Sequence, residues 1–197
     1  MRKLALVTWL LVPVLVGAYH YGPGQKQLLL DDVAGILAEA DRHAANAEWA
    51  EAEERYEAAL NLLPPEQVAE ARRIRLERAK AQMLAAKLPT AHQDLKSLVQ
   101  ELEEDGKADR RLLSEARSSL ANAQYYMTWL MRLEGQPKEK WEPEIEGARQ
   151  TYRLLAEQAE YDGNDESCQK NREDLESAIR LARMDLSDLQ GLPLPSQ

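Results

Sequence analysis

The chain has 197 residues, 44 % of them hydrophobic and 30 % charged, with a formal net charge of −9 and an isoelectric point near 5.0. That balance excludes a disordered chain. The acidic excess argues against a nucleic-acid partner, whose phosphates demand a concentrated positive field. Phe is absent, strand-forming Val, Ile and Thr are sparse, and Ala, Leu, Glu and Arg dominate, so helices are expected throughout. Cys168 is the sole cysteine, which rules out an intramolecular disulfide and any Cys-based zinc site.

At the N-terminus, Arg2 and Lys3 precede an apolar stretch from Leu4 to Tyr21, interrupted only by Thr8, Pro13 and His20. Two readings compete. Leu4 to Val16 is a signal-peptide core, with cleavage at Val16-Gly17-Ala18. Alternatively, residues 4–21 form a single-pass inner-membrane anchor at the short end of what a bilayer requires. The anchor is favoured because Tyr19-His20-Tyr21-Gly22-Pro23-Gly24 reads as an interfacial stop followed by a turn. Either reading places the remainder outside the cytoplasm, in the cell envelope.

Gly22-Pro23-Gly24 breaks this first segment, and the punctuation beyond it predicts about seven helices. The first covers Leu28 to Asn46. After a tight turn at Ala47-Glu48, the second covers Trp49 to Leu62. Pro64-Pro65 starts a third that reaches Ala86, and Leu88-Pro89-Thr90 a fourth that ends at Glu104. Asp105-Gly106 is a stop, and a fifth helix runs from Ala108 to Glu134, closed by Gly135 and Pro137. The sixth starts near Pro143 and ends by Tyr161. Asp162-Gly163-Asn164-Asp165 is a turn with an N-cap, and the last helix continues to about Leu189. Short turns between consecutive helices imply antiparallel hairpins. The expected organisation is residues 1–24 as anchor or signal peptide, 25–104 as two hairpins, 105–190 as a further hairpin plus a C-terminal helix, and 191–197 as a Pro-rich tail.

Within Asn46 to Pro65 the sequence reads NAEWAEAEERYEAALNLLPP. Ala52 is small where two helices would cross closely, and Tyr56 follows one turn later on the same face. Ala59 continues that face, and Pro64 ends the helix. With Trp49 after the inter-helix turn and Ala40 in the preceding helix, this pattern resembles a tetratricopeptide repeat. Ile36, Glu39 and His43 depart from that family's first-helix pattern. A second copy is carried by Ala79, Ala91 and Leu95, with Ala91 lying 39 residues after Ala52. Ala148, Tyr152 and Leu155 repeat the spacing more faintly. The resemblance implies an all-α solenoid of stacked antiparallel hairpins, with a groove for a peptide segment.

No catalytic, metal or cofactor site is expected. There is no Glu-x-x-His, His-Glu-x-x-His, phosphate loop, dinucleotide fingerprint or nucleophile elbow. The acid runs Glu51/Glu53/Glu54/Glu57 and Glu101/Glu103/Glu104/Asp105 read as solvated helix faces, as does the basic run Arg72, Arg73, Arg75, Arg78 and Lys80. His43 reads as a core-facing packing residue, and His92 as solvent-facing. Asp162, Asn164, Glu166 and Glu173 fall at calcium-loop spacing, but Ser167 stands where the loop's central Gly is needed, so a capping turn is expected.

The aromatic segment Ala123 to Gly135 holds Tyr125, Tyr126 and Trp129, and Trp141 follows. Two readings stand: a core face, which the helical spacing favours, or a docking surface, since so many large side chains exceed one buried stripe; on the second reading these four are the candidate partner-binding residues. The functional expectation is a membrane-tethered, envelope-facing interaction module or assembly adaptor, binding another envelope or membrane protein or peptide segment. Its organisation is similar to that of single-pass ancillary subunits of the secretion translocon. The alternatives are a secreted structural helical protein without a dedicated groove, and a small-ligand binder or hydrolase.

Overall fold

A computed structural model describes Trp9 and residues 25–190. The anchor or signal reading of residues 4–21 and the Pro-rich tail at 191–197 fall, Trp9 apart, outside the described residues. Among those described, no helix is long and apolar enough to cross a membrane, and there is no strand.

The described chain is all-α: α1 (Gln25–Ala45), α2 (Trp49–Leu62), α3 (Val68–Leu84), α4 (Leu88–Glu104), α5 (Arg110–Leu133), α6 (Lys138–Tyr161), α7 (Asp165–Arg183) and α8 (Leu186–Gln190). It divides into two compact units, one up to Ile74 and one from Arg75.

In the first unit α1 and α2 form an antiparallel hairpin. Ala40 on α1 and Ala52 and Ala59 on α2 are wholly buried, as small residues are where two backbones approach closely. Tyr56 is buried beside them, and its hydroxyl donates to Asp41 Oδ1 at 2.7 Å, tying α2 back to α1. Trp49 and Pro64 are half-buried at the two ends of α2.

The second unit holds two hydrophobic clusters. One gathers Leu76 and Ala79 of α3, Leu88, Leu95, Leu98 and Leu102 of α4, and Leu112 and Ala116 of α5. Ala91 is wholly buried on the same helix as Leu95. The other gathers Ala121 and Trp129 of α5, Ile145, Ala148 and Tyr152 of α6, Ala178 and Leu181 of α7, and Leu189 of α8.

One turn geometry closes four helices. Ala47, Ala86, Gly135 and Gly163 all have φ between 59° and 69°. The following N–H reaches back five residues each time: Glu48 to His43 O at 2.9 Å, Lys87 to Gln82 O at 2.8 Å, Gln136 to Met131 O at 2.9 Å and Asn164 to Ala159 O at 2.9 Å. This is the Schellman closure, in which a left-handed residue lets the chain satisfy the helix's last carbonyls. The α2–α3 and α4–α5 connections instead leave through extended residues, Leu63 (ψ 129°) and Asp105 (ψ 96°).

Helix boundaries depart from the sequence reading in three places. The third helix begins at Val68 rather than at Pro64-Pro65. The sixth begins at Lys138, with Pro143 inside it. Pro143, in the second turn, has no N–H to give to the Glu139 carbonyl, so the helix lacks that bond. The last helix breaks at Met184 and Asp185, because the Arg132 guanidinium donates to the carbonyls of Leu181 and Met184 and the chain leaves extended at Met184 (ψ 143°).

Left-handed backbone costs a Cβ-bearing residue roughly 1–2 kcal/mol, partly offset by the extra chain entropy of Gly. Ala86→Gly should therefore stabilise the protein by up to about 1 kcal/mol, and Gly163→Ala should destabilise it by about as much. Thermal melts of the two variants beside wild type check the opposite signs.

Candidate functional site

α5 carries Glu115, Ser118, Ser119, Asn122 and Tyr126 at helical spacing, so they share one face. Lys80 and Met83 near the end of α3 stand on one side of this face, and Lys170 of α7 on the other. Together they line a cleft of about 460 Å3. The same face continues toward the N-terminus of α5 into a second, larger depression of about 870 Å3, bounded by α6 and α7. Glu115, Ser118 and Lys170 belong to both.

The polar groups of the cleft are held from behind. Tyr152, buried on α6, donates its hydroxyl to Asn122 Oδ1 at 2.7 Å, which leaves the Asn122 amide NH2 for the cleft. Lys80 Nζ sits between Glu115 Oε1 at 2.5 Å and Glu77 Oε1 at 2.9 Å. Burial works against its charge, but the hydrogen bonds to Glu115 and Glu77 prevail and hold Lys80 above the ordinary lysine range.

Behind Tyr126 lies a knot of like-minded groups. Tyr125 and Tyr126 meet edge to face with centroids 5.5 Å apart. Burial first, then the Asp174 carboxylate, pushes Tyr126 above the usual phenol range, and burial pushes Tyr152 still further up. Burial also raises Asp174 itself, against the pull of Lys170.

The four aromatic residues singled out from the sequence do not form one patch. Trp129 is only 5 % exposed and belongs to the second core cluster. Tyr125 and Trp141 pack part-buried against that cluster, with the Arg132 guanidinium carbon 4.9 Å from the centre of the Trp141 ring. Tyr126 alone among them lines the cleft. Lys170, Ser118 and Asn122 escaped sequence reasoning. Ser118 and Asn122 did leave a signal, a row of small polar residues along one face of α5, whereas Lys170, on another helix, left none.

His92 does not face solvent. Its side chain is 14 % exposed, and Nε2 lies 2.9 Å from Glu144 Oε2 on α6. That hydrogen bond, against some cost of burial, holds the Glu144 carboxyl below the usual range, and Gln124 adds a second hydrogen bond. Gln124 lies so close over Gly147 that a Cβ there would come within 2.7 Å of it. His43 is not a packing residue in a closed core: it is about one-third exposed, with Nδ1 2.6 Å from Glu48 Oε2. At Asp162–Asp165 the Asn164 side chain accepts from Ser167 N–H at 3.1 Å, the geometry of a helix cap. Cys168 is free and buried. Among the described residues, no three His, Cys, Asp or Glu side chains converge to hold a metal.

No family model matches this chain, and no curated protein matches it. What the cleft can do rests on its own residues: an amide, hydroxyls, two ammonium groups and a phenol.

Tyr152→Phe removes the hydroxyl that positions Asn122 and leaves the ring's packing intact. It should cost about 1 kcal/mol, read in a denaturant melt. Asp174 has its native pKa above its unfolded one, so the folded state prefers its protonated form. The ionised carboxylate therefore destabilises the fold at neutral pH, and stability returns as pH falls through its titration. Asp174→Asn should accordingly melt higher than wild type at neutral pH, with the difference closing on acidification.

Proposed function

We propose that this protein is a helical-hairpin interaction module that holds a segment of a partner protein along the α5 face, between α3 and α7. The observation that carries this reading is the cleft itself. It is lined by residues of α3, α4, α5 and α7, and it mixes apolar side chains with hydroxyls, an amide and two ammonium groups. Such a surface, built on rigid helices, suits an extended or helical peptide better than a reaction, which needs a nucleophile, a base and an orienting group brought together. The tetratricopeptide-like spacing of Ala40, Ala52, Tyr56, Ala79 and Ala91 supports the same reading, because hairpins of that kind present a groove on one side.

The apolar stretch at residues 4–21 supports a tether that keeps the module at the envelope face of a membrane, within reach of another membrane or envelope protein. In this role Tyr126, which packs on the first cluster, is a contact residue. Trp129 and Trp141 serve the second cluster, and Tyr125 links that cluster to the Tyr126 ring.

A photo-crosslinking amino acid placed at Ser118, in the cleft, should give a discrete adduct in native membranes. The same group at Arg153, exposed on α6 and outside the cleft lining, should not. Adducts from Arg153 alone would move the binding surface elsewhere, and none from either position would refute an interaction role.

A further inference from the structure

Among the described residues, many basic side chains are already paired. Those in the run Arg72–Lys80 have partners: Arg75 pairs with Glu101 at 2.5 Å, Lys80 with Glu77 and Glu115, and Arg72, Arg73 and Arg78 are engaged as well. Arg117, Arg149 and Arg172 are paired as well, with Glu103, Glu146 and Glu160. Arg110, Arg111 and Lys170 differ. All three are exposed, they make no ion pair among the described residues, and they line the same depression between α5, α6 and α7.

Two acidic residues share that lining. Glu115 is already tied to Lys80, and Asp162 lies at the α6 end. Asp165 and Glu166, in the first turn of α7, are not part of it. The depression therefore presents cations in excess on a protein whose net charge is −9. Its floor is apolar, with Leu113, Leu155 and Ala159. Tyr161, on its lining, is 92 % exposed, a large ring with no packing role of its own.

Resting on the interaction role above, we propose that this groove takes an extended acidic segment of a partner protein, whose carboxylates pair with Arg110, Arg111 and Lys170 and whose apolar side chain settles on Leu113, Leu155 and Ala159. Guanidinium groups suit carboxylates because their donors match both oxygens at once. The ring of Tyr161 covers the segment's edge. The partner is a short acidic segment and not a large polyanion, because screening restricts what a short segment feels to charges within about 8 Å at physiological salt. A membrane surface or a nucleic acid would meet the repulsion of the whole acidic protein.

The test is fluorescence anisotropy of the full chain with short labelled peptides of one pattern: Leu alternating with Asp/Glu, with Ser/Gly, or with Lys. The acidic peptide should bind, and its affinity should fall as salt rises. Arg111→Glu combined with Lys170→Glu should weaken it by about tenfold or more and turn the preference toward the basic peptide. Because these side chains are exposed, the variant should remain folded, as its helical circular dichroism would show. Equal binding of the neutral and acidic peptides would overturn the acidic class while leaving the groove's peptide role standing. No binding of any peptide by folded protein would overturn both. Tighter binding of phosphatidylglycerol vesicles or duplex DNA than of the acidic peptide would also overturn the proposal.

Discussion

The architecture depends on how its helices stop. A helix leaves its last carbonyls without partners, and an antiparallel neighbour can follow closely only if the chain reverses at once and still satisfies them. One left-handed residue does both. At Ala47, Ala86, Gly135 and Gly163 the backbone takes that conformation and the next N–H bonds back across the final turn. Two of these positions are occupied by Ala, which bears a steric penalty that Gly avoids. Ala40, Ala47 and Ala52 recur as Ala79, Ala86 and Ala91, each 39 residues on. The small residues that let helices approach and the residue that reverses the chain thus keep a fixed spacing, and packing and turn are set together.

Hairpins built this way leave one face of each first helix without a sequence neighbour to cover it. On α5 that face carries Ser118, Asn122 and Tyr126, and the second helix of the pair holds it in place from behind through the Tyr152–Asn122 hydrogen bond. The same device appears on the first hairpin, where Tyr56 of α2 reaches Asp41 of α1. A buried ring supplies packing while its hydroxyl fixes a polar side chain on the partner helix. Scaffold and surface are in this sense one construction, and Asn122 in the cleft is oriented by the fold itself.

Most of the fold was legible in the sequence because its determinants are local. Gly135, Gly163 and the Ala47-Glu48 turn mark helix ends within a few residues, and Ala52, Tyr56 and Ala59 announce a helix face by spacing alone. What escaped notice depends on residues far along the chain. His92 looks solvent-facing until Glu144 is known to stand opposite. Nothing near Met184 signals a helix break, because its cause is Arg132 on another helix. Trp129 and Trp141 have the composition of a docking surface, but a core needs the same side chains, and only tertiary packing separates the two uses. Charge was the hardest to read. The dense run from Arg72 to Lys80 looks like the basic site, yet acids from α4 and α5 neutralise Arg75 and Lys80, while the scattered Arg110, Arg111 and Lys170 remain open.

Nearly every helix of the second unit packs on the one just before or after it, but α8 does not. It turns back to place Leu189 in the core beside α5, where Arg132 already grips the carbonyls that end α7. Contacts between sequence neighbours close small loops, whereas this one closes a loop of 52 residues between Arg132 and Met184, at a larger cost in chain entropy. The short terminal helix then acts as a latch. Leu189 in the core and Arg132 on the carbonyls together fasten the end of α7 to α5.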